Sequence, residues 1–101
     1  MTVFKKISVQ EAQEIMDSGK VTIVDVRDAQ SFSKGHIAHA LIVNDENREV
    51  FVQEADRNKP LICYCYHGVS SQSAAAFFAS QGFKDVYSIE GGYEQWKAVY
   101  G

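Results

Sequence analysis

Four short runs of this chain are apolar almost without interruption: Val21–Val26, Ala40–Val43, Leu61–Cys65 and Val86–Ile89. A strand wetted on one face alternates apolar and polar residues, because successive side chains point to opposite sides. Runs that do not alternate fit strands covered on both faces, as in a parallel sheet sandwiched between helices. The intervening segments carry helical signals. Ser8–Glu11 is a capping box, Ala12, Ile15 and Met16 form an apolar stripe, and Gly19 is placed as the stop. Asp28–Lys34 predicts a short helix ended by Gly35, and Asn44 or Asp45 is expected to cap a helix reaching about Asp56, with Val50, Phe51 and Ala55 inward. Ser70 or Ser71 opens the clearest helix, with Ala74, Phe77 and Phe78 on one face and Gly82 beyond its end. After Gly91–Gly92, Tyr93, Trp96 and Val99 recur at near-helical spacing, with Trp96 expected to anchor that helix on the sheet. Alternating strands and helices imply an α/β domain, a central parallel sheet with helices on both faces. Strand order is not readable from such a pattern.

The length of 101 residues suits one domain, read as 1–101, and Pro60 is the only proline. The formal net charge of −3 offers no clustered Lys or Arg for nucleic acid or an anionic membrane. No apolar run is long enough to span a bilayer. Met1–Gln10 lacks the pattern of a signal peptide, so a cytoplasmic location is expected. The two cysteines, Cys63 and Cys65, are too few and too close for a disulfide scaffold and read as thiols. His39 and Arg48 read as surface residues, and Arg57–Lys59 as a solvated turn.

The chemistry concentrates in Leu61–Ser71, where a cysteine stands at the carboxyl end of a strand, followed by a tight loop and a helix start. Open parallel sheets bind ligands beyond the carboxyl ends of their strands. Backbone N–H groups of a loop entering a helix converge on a point, and the helix N-terminus adds partial positive charge. Gly68 lets such a loop curl without steric cost. A cysteine in that cradle has a stabilised thiolate and a lowered pKa. From position alone, Cys65 reads equally as a reactive thiol or as an inert small hydrophobe.

Other chemistries fit less well. Cysteine phosphatases need an arginine six positions after the nucleophile, to clamp an oxyanion with its planar fork, and Ser71 stands there. Cys63, Cys65 and His67 alternate as strand-borne metal ligands would, but zinc sites ask for a fourth ligand and wider spacing. Cys63 reads as a buried core residue, with a resolving-thiol role as the alternative.

Asp25–Asp28 with Phe32, then Gly35–Ile37 and Ala40; Cys65–Ser70; and Gly91–Gly92 with Trp96 together resemble the three signatures of the rhodanese superfamily. The resemblance covers essentially the whole chain and points to the single-domain GlpE-type thiosulfate sulfurtransferases. It implies a single rhodanese-like domain with Cys65 as the nucleophile. The backbone amides of Tyr66, His67, Gly68, Val69 and Ser70 would line the substrate cradle, with Ser71 contributing its N–H or hydroxyl. Asp25, Arg27 and His36 would be structural. It further implies thiosulfate or another sulfane-sulfur donor, cyanide or a thioredoxin-like dithiol as acceptor, a persulfide on Cys65, and no metal or organic cofactor. A persulfide relay fed by a desulfurase and a non-catalytic binding module are the alternatives. Some thiosulfate-using relatives place Lys or Arg in the loop, where this chain has only His67. Weak thiosulfate binding is therefore expected, with activity falling as pH rises through the His67 titration.

Overall fold

Leu61–Tyr64 is the most deeply buried strand of the protein, each of its residues at 0% exposure in a computed structural model that describes residues 3–101. Its place explains its composition: it lies at the centre of a five-stranded, wholly parallel sheet. The strands are β1 (Lys5–Ile7), β2 (Thr22–Asp25), β3 (Leu41–Ile42), β4 (Leu61–Tyr64) and β5 (Val86–Ile89), in the order β1-β5-β4-β2-β3. The helices are α1 (Val9–Asp17), α2 (Ala29–Lys34), α3 (Arg48–Glu54), α4 (Ser70–Ser80) and α5 (Gly92–Tyr100). Both faces of the sheet are covered. Ile23, Ile62, Tyr64 and Ile89 pack with Val9 and Ala12 of α1 and with Tyr93 and Trp96 of α5. Val24, Leu61, Cys63 and Val86 pack on the other side with Val52 of α3 and Ala75 and Phe78 of α4. A side chain such as Phe78 contributes about 2 kcal/mol by leaving water.

From β2 the chain moves outward to β3, and from β4 it moves the other way to β5. The direction of winding therefore reverses between β2 and β4, and the carboxyl ends of these two neighbours form the switch point where such sheets bind ligands.

The α/β architecture matches the expectation from sequence, and local differences have physical reasons. The strand β1 goes beyond the four apolar runs. It lies at the sheet edge with Lys5 and Lys6 exposed and only Ile7 buried, so its place comes from backbone pairing with β5. The capping box at Ser8 forms, with Glu11 N–H donating to Ser8 Oγ and Ser8 N–H to Glu11 Oε1. The helix expected after Asn44 starts later, at Arg48. Asn44 Oδ1 instead accepts from Glu46 and Asn47 N–H, and Asn47 Nδ2 donates to the Ile42 carbonyl, so a polar turn uses up the expected caps. The register of α3 buries Val52 and leaves Val50 54% exposed, reversing the expectation for Val50. Trp96 is half-buried against the α1 side of the core, whereas Val99 is exposed, contrary to the expected apolar face. Arg57 is more than a solvated turn residue: its Nε donates to the Gln81 carbonyl at 2.8 Å.

Candidate functional site

Cys65 follows directly on β4, and α4 begins at Ser70, so the loop between them is short and must curl. Gly68 makes the curl at φ +87°, and a Cβ there would lie 2.7 Å from the Gly91 nitrogen. Two loop amides reach the sulfur: Gly68 N–H donates to Cys65 Sγ at 3.1 Å and Ser71 N–H at 3.3 Å. The Ser71 hydroxyl lies 3.5 Å from the same sulfur and 2.7 Å from Ser88 Oγ.

Burial pushes the Cys65 thiol up, but the Ser71 hydroxyl and the amides of Ser71, Gly68 and His67 outweigh it, so its pKa lies below the ordinary thiol value. Cys63, two residues earlier on the same face of β4, behaves oppositely. Burial, reinforced by the neighbouring Cys65 charge, pushes it up to about 12. Its thiol faces the Tyr87 and Ser71 carbonyls at 3.4 and 3.6 Å. Two thiols separated by a single residue are thus shifted in opposite directions.

The remaining loop residues form a rim. Tyr66 is 48% and Val69 71% exposed, and Ser70 is exposed as well. His67 is also exposed, its Nδ1 3.5 Å from Glu94 Oε2 on α5. Cys63, Cys65 and His67 are therefore not brought together: Cys63 is in the core while His67 turns outward to Glu94.

The loop is held in shape by the start of α5. Tyr93 N–H donates to the Cys65 carbonyl at 2.8 Å and Glu94 N–H to the Tyr66 carbonyl at 3.0 Å. Beneath that start, Arg27 Nε and Nη2 grip the fully buried Asp25 carboxylate at 2.6–3.1 Å, and Nη2 also donates to the Gly35 carbonyl. The Arg27 guanidinium lies 4.2 Å from the centre of the Tyr93 ring. Asp25 and Arg27 thus link the end of β2 to the helix that pins the cysteine loop. His36 stacks on Phe32 at 3.8 Å and bonds the Phe32 carbonyl through Nδ1.

Sequence reasoning missed Ser88 and Glu94. Glu94 has no local signal, being one of several surface acids. Ser88 had one: it is a hydroxyl in the otherwise apolar run Val86–Ile89.

Fold and site define an open α/β domain that presents a cysteine loop at the carboxyl end of its central strand. The chain belongs to the Rhodanese-like domain family, which matches residues 8–99. It is similar to the proteins named thiosulfate sulfurtransferase GlpE of Ectopseudomonas mendocina, at 50% identity over 99% of this chain and 91% of that one, and of Pseudomonas savastanoi pv. phaseolicola, at 49% over 99% and 93%. In three dimensions it resembles a rhodanese-related protein from Thermoplasma volcanium, with TM-score 0.82 and 24% identity, covering 96% of this chain and 94% of that one. Among the described residues, no helix is long and apolar enough to cross a membrane.

Proposed function

We propose that the protein is a thiosulfate sulfurtransferase that carries sulfane sulfur as a persulfide on Cys65. The observation that carries this reading is the convergence of two amides and a hydroxyl on Cys65 Sγ at the mouth of the switch point. Relatives about half identical over nearly the whole chain carry that activity in their names. In the first half-reaction the Cys65 thiolate attacks the outer sulfur of thiosulfate. An S–S bond forms to Sγ, the bond to the sulfonate sulfur breaks, and sulfite leaves with the electron pair. The negative charge then rests on the outer sulfur, beyond the Sγ that Gly68 and Ser71 N–H contact. In the second half-reaction cyanide or a protein dithiol attacks that outer sulfur and Cys65 leaves as a thiolate. Neither step calls for a metal or an organic cofactor. The reaction is assigned to the cytoplasm, where thiols stay reduced.

His67, the one cationic candidate of the loop, has the Glu94 carboxylate beside it. That pairing weakens the field a dianion would meet and favours a second reading of the same cysteine, as a relay that receives its sulfur from a desulfurase.

Intact-protein mass spectrometry after thiosulfate treatment and desalting tests the proposal on wild type, Cys65→Ser and Cys63→Ser. The expected result is a gain of one sulfur atom in wild type and Cys63→Ser and none in Cys65→Ser. No adduct in any of the three removes thiosulfate as donor and leaves the relay or a binding module.

A further inference from the structure

Ser88 is 1% exposed in the middle of β5, in register with Cys63 of β4 and pointing, like Val86, toward α4. A hydroxyl at such a position is destabilising unless it is hydrogen-bonded, and an apolar residue would serve the core better. Its partner is Ser71 Oγ at 2.7 Å, also fully buried, which in turn lies 3.5 Å from Cys65 Sγ. The three polar atoms form a chain leading from the middle of the sheet to the sulfur.

Two proton arrangements of that chain differ in what they offer the sulfur. With the sulfur ionised, Ser71 O–H donates to Sγ and Ser88 O–H donates to Ser71 Oγ, so each hydroxyl hydrogen has an acceptor. With a neutral thiol donating to Ser71, the chain runs backwards and the Ser88 hydrogen must point out of it. No other side-chain hydrogen bond of Ser88 occurs among the described residues. The arrangement with Ser88 donating satisfies both hydroxyl hydrogens, and it is strongest when the acceptor at its end is an ionised sulfur.

We infer that Ser88 is a positioning residue that orients the Ser71 hydroxyl toward Cys65 and so stabilises negative charge on Sγ specifically. This deepens the proposed function, on which its catalytic consequence rests. Charge sits on Sγ in the resting enzyme and again when an acceptor withdraws the outer sulfur, but not in the persulfide, where it has moved outward. The relay thus makes Cys65 a better leaving group in the second half-reaction. Its effect on the first is small once the thiol is ionised, because a less basic thiolate is also a weaker nucleophile.

The titratable groups around Cys65 are Cys63 and Tyr64 on β4, Tyr66 and His67 in the loop, Tyr93 and Glu94 on α5 and the Asp25–Arg27 pair at the end of β2; the first turn of α4 carries no acid or base. All are retained in the variants that test the relay: Ser88→Ala, Ser71→Ala, the double variant and Ser88→Thr. Thiolate absorbance against pH reads the sulfur directly, without any turnover. Ser88→Ala should raise the Cys65 pKa by about half a unit, corresponding to roughly a threefold loss of thiolate at a pH below it. Ser71→Ala should raise it further, and adding Ser88→Ala to Ser71→Ala should change nothing more, because the relay is already cut. Ser88→Thr keeps the hydroxyl and should keep the wild-type pKa even if its stability drops. In single turnovers, Ser88→Ala should slow sulfur release to a small thiol acceptor roughly threefold while loading stays within twofold. An unchanged pKa in Ser88→Ala, or a shift of equal size in the Ser71→Ala background, overturns the relay. A shifted pKa in a protein that never loads sulfur keeps the relay and removes the sulfurtransferase reading instead.

Discussion

The backbone amide of Tyr93 donates to the carbonyl of Cys65 at 2.8 Å, across twenty-eight positions of sequence. The first amides of a helix have no partner within it. Here those of Tyr93 and Glu94 take the carbonyls of Cys65 and Tyr66, leaving the loop free to present the amides of Gly68 and Ser71 to the sulfur. The start of α5 and the cysteine loop are thus one structural unit.

That unit has no room for a side chain at Gly92. A Cβ there would sit 2.5 Å from the Cys65 carbonyl oxygen, 2.6 Å from that of Tyr66 and 2.7 Å from the Gly68 nitrogen, at φ +60°. These neighbours are backbone and cannot swing away. Gly92→Ala is expected to lose about 3 kcal/mol of stability, measured by urea unfolding. It should also raise the Cys65 pKa, because the amides lose their aim. A variant as stable as wild type would show that the two loops separate easily.

Asp25 and Arg27 form an ion pair with side chains 0% and 6% exposed. Removing one partner leaves a buried charge alone, so Asp25→Ala is expected to lose about 3–5 kcal/mol. Replacing the pair by two apolar residues should cost less than the single change. Chemical denaturation of the single and double variants measures both, and additive losses would contradict the coupling.

The two thiols give opposite pH signatures. Cys63, pushed up to about 12, keeps its proton in the folded protein, whereas an unfolded thiol releases it near pH ~8.5. Between those values the unfolded state binds fewer protons, so stability falls as pH rises, by up to about 1.4 kcal/mol per unit. Burial also pushes Tyr64 up, adding slope of the same sign above roughly pH 10. Cys65, held below the ordinary thiol value, acts in the other direction: stability rises as pH climbs from its folded to its unfolded pKa. Urea midpoints from neutral to alkaline pH should fall less steeply for Cys63→Ala than for wild type. Parallel curves would mean that the Cys63 proton is not retained. Iodoacetamide at neutral pH should label Cys65 alone.

His67 is an exposed loop position beside Glu94, so a permanent cation can be added there without touching the core. His67→Arg is expected to lower KM for thiosulfate several-fold at low salt, with the gain shrinking as salt rises. Glu94→Gln in the same background should lower it further. Steady-state kinetics at two ionic strengths decides the matter, and an unchanged KM would show that thiosulfate does not approach over His67.

Much of this protein was legible in its amino-acid sequence, because the signals concerned are local. The uninterrupted apolar runs around Ile23, Ile62 and Ile89 report burial on both faces of a sheet. The capping box at Ser8 and the glycine at 19 mark a helix, and Cys65 stands between a strand and a helix start whatever the rest of the chain does. Tertiary structure alone decided the strand order, the recruitment of the charged Lys5–Ile7 segment as an edge strand and the inward turn of Val52 in place of Val50. It also decided the contacts that give Cys65 its surroundings. Ser71 meets Ser88, and the α5 amides meet the loop carbonyls, because β5 is laid beside β4 and its chain continues over the switch point. A hydrogen bond between residues distant in sequence leaves no periodicity to read; it exists only once the sheet has brought its two halves together.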